Sequence, residues 1–437
     1  MPVVRPFRAL RYSPEVVADL GAVMAPPYDV IDAAQRTRLL ARDPRNVVRL
    51  DLPADEPGER DPDERYRRAA RYLAAWRSDG TLRRDTRATI SVVEETYQLP
   101  GREAATVRRG FFARVGLEAF GTGIRAHERT LAGPKEDRYR LLRATGVNTS
   151  PIVAMYDDPS GRAAALIETI SADPPGVDII DDEGVRHRLW PIAAGDGSAA
   201  DELCELASRV PLTIADGHHR YETALRYRDE RRVGAAGGAE LDAEYVLMLL
   251  VEPLAGRLDI LPTHRIVLGL GDDGEALTDG LAALFEIESP VDAGALVARF
   301  GPASGATGGD GRFGFWTRRG GAILRARRAA FEPLLTEGGA ARRRLDVSLL
   351  GAAIEAIAGI DATAVATGER IAYTKDAQQA IDAVTAGASG ADAAFLLDPT
   401  PAAEIMAVAA EGDVMPQKST YIYPKALTGL VINPLEG

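Results

Sequence analysis

The chain has 437 residues, of which 46% are hydrophobic and 27% are charged, and its net charge is −12. This composition is ordinary for globular proteins and excludes a disordered, collagen-like or membrane-embedded chain. The negative charge argues against nucleic acids and anionic membranes as partners, and the length predicts two or three domains.

Three features of the sequence favour a cytoplasmic location. The one cysteine, Cys204, cannot form a disulfide within the chain, and residues 1–8 lack the apolar segment of a secretion signal. No run approaches 18 apolar residues, and the most apolar stretch, residues 245–251, has the length of a buried strand. We therefore expect a cytoplasmic protein without a membrane span.

Residues 1–112 are predicted to form an amino-terminal α/β domain. Residues 46–52 and 89–93 have the apolar character of strands, and residues 63–79 carry apolar side chains at helical spacing.

The segment from Ala25 to Asp29 stands out within this domain. Its two prolines, Pro26 and Pro27, fix an extended backbone and present Tyr28 and Asp29 in a loop. We regard Tyr28 and Asp29 as candidate substrate-binding residues, and the alternative is a rigid turn.

Residues 113–265 are predicted to form a second domain. In chain order we expect a strand from Phe111, a loop, a helix over 137–144, a strand over 151–156, a less ordered stretch with a solvated turn at 181–183, a strand over 212–215 and a helix over 219–231.

Residues 266–410 are predicted to form an inserted α/β domain, and residues 411–437 a tail that returns to the active site. The expected elements are a hairpin around 318–321, a helix over 347–357, and strands over 370–373 and 393–397, each followed by a helix. Glycine-rich residues 234–238 and 301–311 are expected to be loops. This alternation of strands and helices predicts an α/β (α+β) fold.

Lysine is rare in this chain: 48 of the 52 basic residues are arginine. The four lysines are Lys135, Lys375, Lys418 and Lys425. We interpret them as candidates for sites that need a compact point charge, against the alternative of chance survival.

The first motif is Asp216-Gly217-His218-His219-Arg220, between a predicted strand and a predicted helix. Glycine allows close backbone approach, the first N–H groups of a helix attract anions, and arginine grips two phosphate oxygens. The motif therefore predicts a phosphate site, in which Asp216 orients a histidine or holds a divalent cation such as Mg²⁺. The alternative is a capped helix with hydrogen-bonded histidines.

The second motif is His127-Glu128, followed by Lys135. A carboxylate in a loop after a strand, flanked by basic residues, is suited to serve as a general base toward a hydroxyl group. A solvated capping residue is the alternative for Glu128.

The third motif lies near the carboxyl end and contains Lys418, Ser419, Thr420 and Lys425 among tyrosines. Hydroxyl groups and lysines in an otherwise apolar tail indicate a folded, phosphate-facing segment, and a surface strand is the alternative.

Other site types have little support. The spacing of His127, His218 and His219 differs from that of known zinc motifs, and the sequence contains no P-loop motif. A metal-dependent hydrolase therefore remains a minor alternative.

Together, the segments beginning at Arg5, Ala25, His127, Ala215 and Pro416 resemble a bacterial and archaeal family known as domain of unknown function ten-fifteen. The order of His-Glu, Asp-Gly-His-His-Arg and Lys-Ser-Thr is also distantly similar to that of the archaeal free L-serine kinases of the ParB/sulfiredoxin-like superfamily.

This second resemblance implies a ParB/sulfiredoxin-like phosphotransfer core that uses ATP or ADP and Mg²⁺ to phosphorylate free L-serine. It implies that Glu128 is the catalytic base beside His127, and that Asp216 contacts metal or substrate. The implied nucleotide-binding residues are Gly217, His218, His219, Arg220, Lys418, Ser419 and Thr420. We add Lys135 as a phosphate-binding candidate and Lys425 as a substrate-binding candidate.

We therefore expect a small-molecule kinase that makes O-phosphoserine, with a nucleotide and a hydroxyl amino acid as its partners. A ParB-like module that uses the nucleotide as a switch on a macromolecular partner is the main alternative. The sequence does not indicate the oligomeric state.

Overall fold

A computed structural model describes residues 1–99, 102–130, 132–234, 241–254, 257–271, 275–301, 308–361, 364, 368–416 and 418–436. The described helices are α1 (Ala33–Arg42), α2 (Val48–Asp51), α3 (Glu64–Ser78), α4 (Ala132–Thr145), α5 (Arg162–Ser171), α6 (Ala199–Ser208), α7 (His218–Gly234), α8 (Glu275–Leu284), α9 (Ala293–Phe300), α10 (Arg328–Phe331), α11 (Ala340–Arg344), α12 (Asp346–Ala358), α13 (Ala377–Thr385) and α14 (Ala402–Ala410).

The described strands are β1 (Val4–Arg5), β2 (Leu10–Tyr12), β3 (Leu82–Arg84), β4 (Thr89–Gln98), β5 (Ala105–Gly116), β6 (Ile124–Arg125), β7 (Val147–Asn148), β8 (Ile152–Met155), β9 (Val177–Ile180), β10 (Arg186–Ala193), β11 (Leu212–Asp216), β12 (Tyr245–Val251), β13 (Asp259–Leu261), β14 (His264–Leu268), β15 (Phe285–Val291), β16 (Arg312–Thr317), β17 (Gly320–Ala326), β18 (Ile371–Thr374), β19 (Ala391–Leu397), β20 (Tyr421–Tyr423) and β21 (Asn433–Pro434).

The largest sheet has nine strands in the order β6-β11-β8-β12-β5-β4-β10-β9, with β1 paired to β5. Neighbours β6 and β11 are parallel, as are β8 and β12, and the other pairs are antiparallel. Every residue of β12 is buried, as expected for a central strand covered on both faces. The fold is therefore a mixed α/β fold, as the sequence predicted.

A second sheet has six strands in the order β15-β17-β16-β19-β14-β18. Its two faces are covered by helices: α9 and α13 contribute Leu296, Phe300 and Ile381 to one core, and α8 and α12 contribute Leu277 and Leu350 to another. This is the α/β layering predicted for residues 266–410. Among the described helices, none combines the length and apolar character needed to cross a bilayer.

The division of the chain at residues 112, 265 and 410 stays a prediction. Residue 112 lies inside β5, and strands from both sides of it belong to the nine-stranded sheet. The six-stranded sheet is formed entirely by residues of the predicted 266–410 domain, apart from the first two residues of β14.

The carboxyl-terminal tail connects distant parts of the fold. Strand β20 pairs with β13, and β21 pairs with β7. Between them, Thr428 bridges to Ala25 and Ile432 bridges to Leu10. The tail therefore joins the amino-terminal segment to β7 and β13.

One strand prediction was wrong. Residues 46–52, expected to be a strand, contain helix α2. The side chain of Asn46 accepts a hydrogen bond from the backbone N–H of Val48 at 2.9 Å, which favours the start of a helix. Its amide also donates to the carbonyls of Ala22 and Met24 at 2.8 and 2.9 Å, contacts that the local sequence does not reveal.

The prediction of a less ordered stretch after residue 156 was also wrong, because these residues form α5, β9, β10 and α6. The expected turn at 181–183 separates β9 from β10. The hairpin around 318–321 is confirmed as β16 and β17. Most of the glycine-rich residues 234–238 and 301–311 lie outside the described residues.

Candidate functional site

The first two motifs follow two neighbouring parallel strands. His127 comes shortly after β6, and β11 ends at Asp216. Because the carboxyl ends of parallel strands meet at the same sheet edge, the two motifs lie together. The rings of His127 and His218 contact edge to face, with centroids 4.7 Å apart.

Gly217 forms the turn from β11 into α7. Its φ of +98° lies in the region that favours glycine, and an added Cβ would lie 3.0 Å from Nε of Arg220. The pairing of β11 with β8 also shifts register between Ile214 and Asp216. Helix α7 therefore begins directly at His218, with its first N–H groups at the sheet edge.

His127 is buried and neutral. Burial lowers its pKa to about 4. Its Nδ1 lies 2.7 Å from the carbonyl of Ile214, so the proton is on Nδ1 and the ring donates there. Its Nε2, 3.4 Å from Oγ1 of Thr420, is then the acceptor for that hydroxyl group.

His218 is also buried, and burial lowers its pKa well below the ordinary value, with His127 as the next contributor. Its Nε2 lies 3.4 Å from the backbone N–H of His127 and accepts that hydrogen bond. The proton of the neutral ring is therefore on Nδ1, which lies 3.7 Å from Oε2 of Glu128.

Glu128 is the accessible acid of the site, with 41% of its side chain exposed. Partial burial, followed by the charge of Asp216, raises its pKa, while Lys418 and Lys425 oppose that shift. The carboxylate therefore faces charged groups from both other motifs.

Asp216 is held between two cations. Its Oδ1 accepts from Lys425, and its Oδ2 accepts from Arg220 at 2.5 Å. Burial disfavours the charge of Asp216, but Lys425 and then Arg220 outweigh it and hold its pKa well below the ordinary range. Arg220 is anchored in turn by Oγ of Ser150 at 2.6 Å and by the carbonyl of Pro151.

The tail completes the site. The N–H of Met415 donates to the carbonyl of His127 at 2.8 Å, and Lys418 adopts a φ of +55°. Ser419 is buried, and its hydroxyl donates to the carbonyl of Pro416 at 2.5 Å. Gln417 lies outside the described residues.

The candidates from the amino-terminal segment lie beside this site. The ring of Tyr28 stacks against the guanidinium of Arg138 at 4.2 Å, and burial raises the pKa of Tyr28 to about 12. Asp29 is exposed and lies within electrostatic reach of Lys425 and Glu128, whose pKa values it raises.

Of the expected phosphate-binding residues, Lys135 is paired with an acidic side chain of the protein. Lys135 on α4 pairs with Glu222 on α7 at 2.7 Å, and Thr130 donates to the same carboxylate oxygen at 2.8 Å. His219 is half-buried, and burial lowers its pKa.

The expected Mg²⁺ ligand is already paired with two cations, because the carboxylate oxygens of Asp216 accept from Lys425 and Arg220. Across the part of the chain that the structure describes, His, Cys, Asp and Glu side chains form no group of three that could hold a metal ion.

Two contributors to the site were not predicted from the sequence. Glu222 and Ser150 fix Lys135 and Arg220, and no sequence signal marks them. Lys375, the one lysine outside the motifs, lies with its Nζ 3.8 Å from the ring centroid of Tyr421, while Nζ of Lys425 lies 4.6 Å from the same centroid. The rarity of lysine was the available signal for Lys375.

Known structures give distant matches. Free serine kinase in complex with AMP is 12% identical to the chain, with a TM-score of 0.33, over 74% of this chain and 92% of that chain. SbnI with a carboxyl-terminal truncation, from Staphylococcus aureus, is 12% identical, with a TM-score of 0.34, over 71% of this chain and 85% of that chain. These values are consistent with a distant likeness and carry no activity over to this chain.

The curated proteins contain no match to the chain. The family model described as protein of unknown function (DUF1015) matches residues 4–348. This match covers most of the chain and agrees with the resemblance that the motifs carry. The chain therefore belongs to the DUF1015 family.

Proposed function

We propose that the protein is a kinase that transfers a phosphoryl group from ATP (or ADP) to the hydroxyl group of free L-serine, giving O-phospho-L-serine. One observation carries the proposal: three motifs far apart in the sequence meet at one sheet edge. His127 contacts His218 and Thr420, Glu128 lies beside His218, and Lys425 pairs with Asp216.

The arrangement supports phosphate binding. The turn at Gly217 leads directly into a helix of 17 residues, and the first N–H groups of a helix have no partner within it. Lys418 and Lys425 add positive charge near this terminus. We assign the phosphates to the start of α7, with Ser419 and Thr420 holding the tail in place.

Glu128 is the group best suited to act as the base. Its side chain is accessible, and its raised pKa brings it closer to the range in which a carboxylate accepts a proton efficiently. In the proposed step it accepts the hydroxyl proton while the serine oxygen bonds to the terminal phosphorus. The bond from that phosphorus to the bridging oxygen breaks, and ADP (or AMP) leaves.

The two histidines and Asp216 are assigned positioning roles. Neutral His127 links β11 to the tail through Ile214 and Thr420, and Asp216 orients Lys425 and Arg220. The identity of the acceptor follows the motif resemblance to free L-serine kinases, which also implies a ParB/sulfiredoxin-like core.

The test is incubation of the purified full chain with ATP or ADP, in the presence of Mg²⁺, and a panel of hydroxyl amino acids. Mass spectrometry of the products should detect phosphoserine only when serine is present. Nucleotide turnover that is independent of every amino acid would instead support a nucleotide switch. Glu205→Gln, at an exposed residue paired only with exposed Arg209, is the matched control for substitutions at Glu128.

A further inference from the structure

A small cavity that is partly open to solvent lies next to the candidate site. It has a volume of about 50 Å³ and is lined by Tyr28, Asp51, Arg138, Arg220 and Thr223, among others. Arg220 connects it to the site, because the same guanidinium contacts Asp216. This volume accommodates a few water-sized groups.

Two polar atoms of the cavity wall have no hydrogen-bond partner. Asp51 is 5% exposed, and its Oδ1 accepts from the hydroxyl of Thr149 at 2.6 Å, but its Oδ2 is buried and unpaired. Thr223 is 4% exposed, and its Oγ1 is also buried and unpaired. A buried carboxylate oxygen without a donor is costly, so this cavity is suited to a ligand that donates hydrogen bonds.

The arginines of the wall do not supply that donor. Nε and Nη2 of Arg138 donate to Asp137 at 3.0 and 2.6 Å, and Nη1 donates to the backbone carbonyl of Asp51. The closest approach of Arg138 to the Asp51 carboxylate is 3.9 Å, to Oδ1.

Arg220 is engaged by Ser150, Pro151 and Asp216. The wall therefore presents a carboxylate that needs a donor beside two guanidinium groups of positive charge. This combination of charges matches a small zwitterion.

We infer that the cavity binds the α-amino group of the acceptor amino acid, with Asp51 Oδ2 and the hydroxyl of Thr223 as its partners. The inference rests on the proposed function and assigns the amino-acid subsite of the same site. We assign the α-carboxylate to the side of Arg138 and Arg220, the two cations of the wall, which are also paired with Asp137 and Asp216. Tyr28, from the segment that the sequence analysis singled out, forms part of the wall.

Calorimetric titration of the full chain without nucleotide tests the inference. The probes are L-serine, ethanolamine, which lacks the carboxylate, and 3-hydroxypropanoate, which lacks the amino group. AMP is titrated in a separate experiment. We expect serine to bind more tightly than either fragment, and Asp51→Asn to weaken serine and ethanolamine by roughly 10- to 100-fold, since the lost hydrogen bond joins two charged groups.

Thr223→Val keeps the side-chain volume and is the second variant, in case Asp51→Asn disturbs the fold through Thr149. It should weaken serine binding by about fivefold, with an unchanged melting temperature. Glu205→Gln should leave all three titrations unchanged.

Serine binding that is equal in the wild type, Asp51→Asn and Thr223→Val would overturn the inference, and so would a wild type that binds AMP but neither serine nor ethanolamine. The reverse result, serine binding that depends on Asp51 without any nucleotide binding, would support the subsite and remove the proposed kinase activity.

Discussion

Oε2 of Glu128 lies 3.7 Å from Nδ1 of His218, and the imidazole is buried while the carboxylate is accessible. Because burial keeps His218 neutral, its ring places no positive charge beside the carboxylate. Glu128 therefore presents an accessible carboxylate next to a neutral neighbour from another motif, as a proton acceptor requires.

Replacing Glu128 should remove most of the activity without affecting the fold. Glu128→Gln keeps the size of the side chain and eliminates the proton acceptor, so kcat for phosphoserine formation should fall by about 10²- to 10⁴-fold. Nucleotide affinity and melting temperature should stay close to those of the wild type. Turnover near the wild-type rate in Glu128→Gln, with Glu205→Gln measured in parallel, would show that another group accepts the proton.

Lys425 should matter for both charge balance and stability. Its ammonium and the guanidinium of Arg220 together hold the pKa of Asp216 low. Lys425→Met leaves the largely buried carboxylate with Arg220 alone, so the free energy of unfolding should fall by roughly 1.5–3 kcal/mol in urea denaturation at pH 7.

The free energy of unfolding of Lys425→Met should depend on pH differently from that of the wild type. A carboxylate with a depressed pKa stabilises the fold above about pH 4, and that stabilisation is lost as the pH falls toward the folded-state pKa. Because Lys425→Met raises that pKa, its stability deficit relative to the wild type should shrink below about pH 3. A deficit that is equal at pH 7 and pH 2.5 would contradict the pairing.

The two lysines expected to bind phosphate should differ. Lys135 pairs with Glu222, whereas Lys418 lies near Glu128. Lys418→Met should therefore weaken nucleotide binding by about tenfold, and Lys135→Met should change it little. A double-mutant cycle with Glu222→Gln should give a coupling energy for Lys135 of about 0.2–1 kcal/mol. Equal losses of nucleotide affinity in the two lysine variants would refute this distinction.

His127 should make the protein less stable in acid. Its folded-state pKa is about 4, whereas an exposed histidine titrates near 6.5. Between those pH values the unfolded chain binds a proton that the folded chain does not, so each pH unit of acidification costs about 1.4 kcal/mol. The free energy of unfolding of His127→Gln should therefore depend less steeply on pH in this range.

His187 is a control for this prediction, because its pKa is shifted in the opposite direction to that of His127. Burial disfavours its charge, but the carboxylates of Asp181 and Glu95 outweigh burial and raise its pKa. Its stabilisation is present below about pH 6.5 and is lost as the pH rises through the folded-state pKa. His187→Gln should therefore cost more stability at pH 6 than at pH 9.

For the His127 prediction, free energies of unfolding that change in parallel with pH in His127→Gln and the wild type would show that His127 is not held neutral.

The elements that could be predicted from the sequence are those with a strong local period. The amphipathic pattern predicts α3, and the apolar runs predict β4 and β12. Helix α2 escaped because its start depends on Asn46, whose amide binds carbonyls more than 20 positions away. Strand β10 escaped because its charged and aromatic residues form a strand only against β4 and β9.

In the candidate site, too, local features could be predicted from the sequence and contacts between distant residues could not. The local chemistry of Asp216 to Arg220 was visible in the sequence, but its pairing with Lys425 joins residues 209 positions apart. Asp51 lies in a segment expected to be a strand, and the sequence does not mark it as a site residue. It is a candidate ligand because Thr149 donates to one of its carboxylate oxygens and the other is buried without a donor. Long-range pairing of charges is what the sequence alone could not provide.

The most direct test of the central claim follows the terminal phosphoryl group itself. ATP labelled with ¹⁸O on the nonbridging γ-oxygens is incubated with the full chain and L-serine, and the amino-acid product is analysed by mass spectrometry. We expect phosphoserine that carries the label, formed in step with ADP and lost in Glu128→Gln. Labelled inorganic phosphate without phosphoserine, at the same rate with and without serine, would contradict the account.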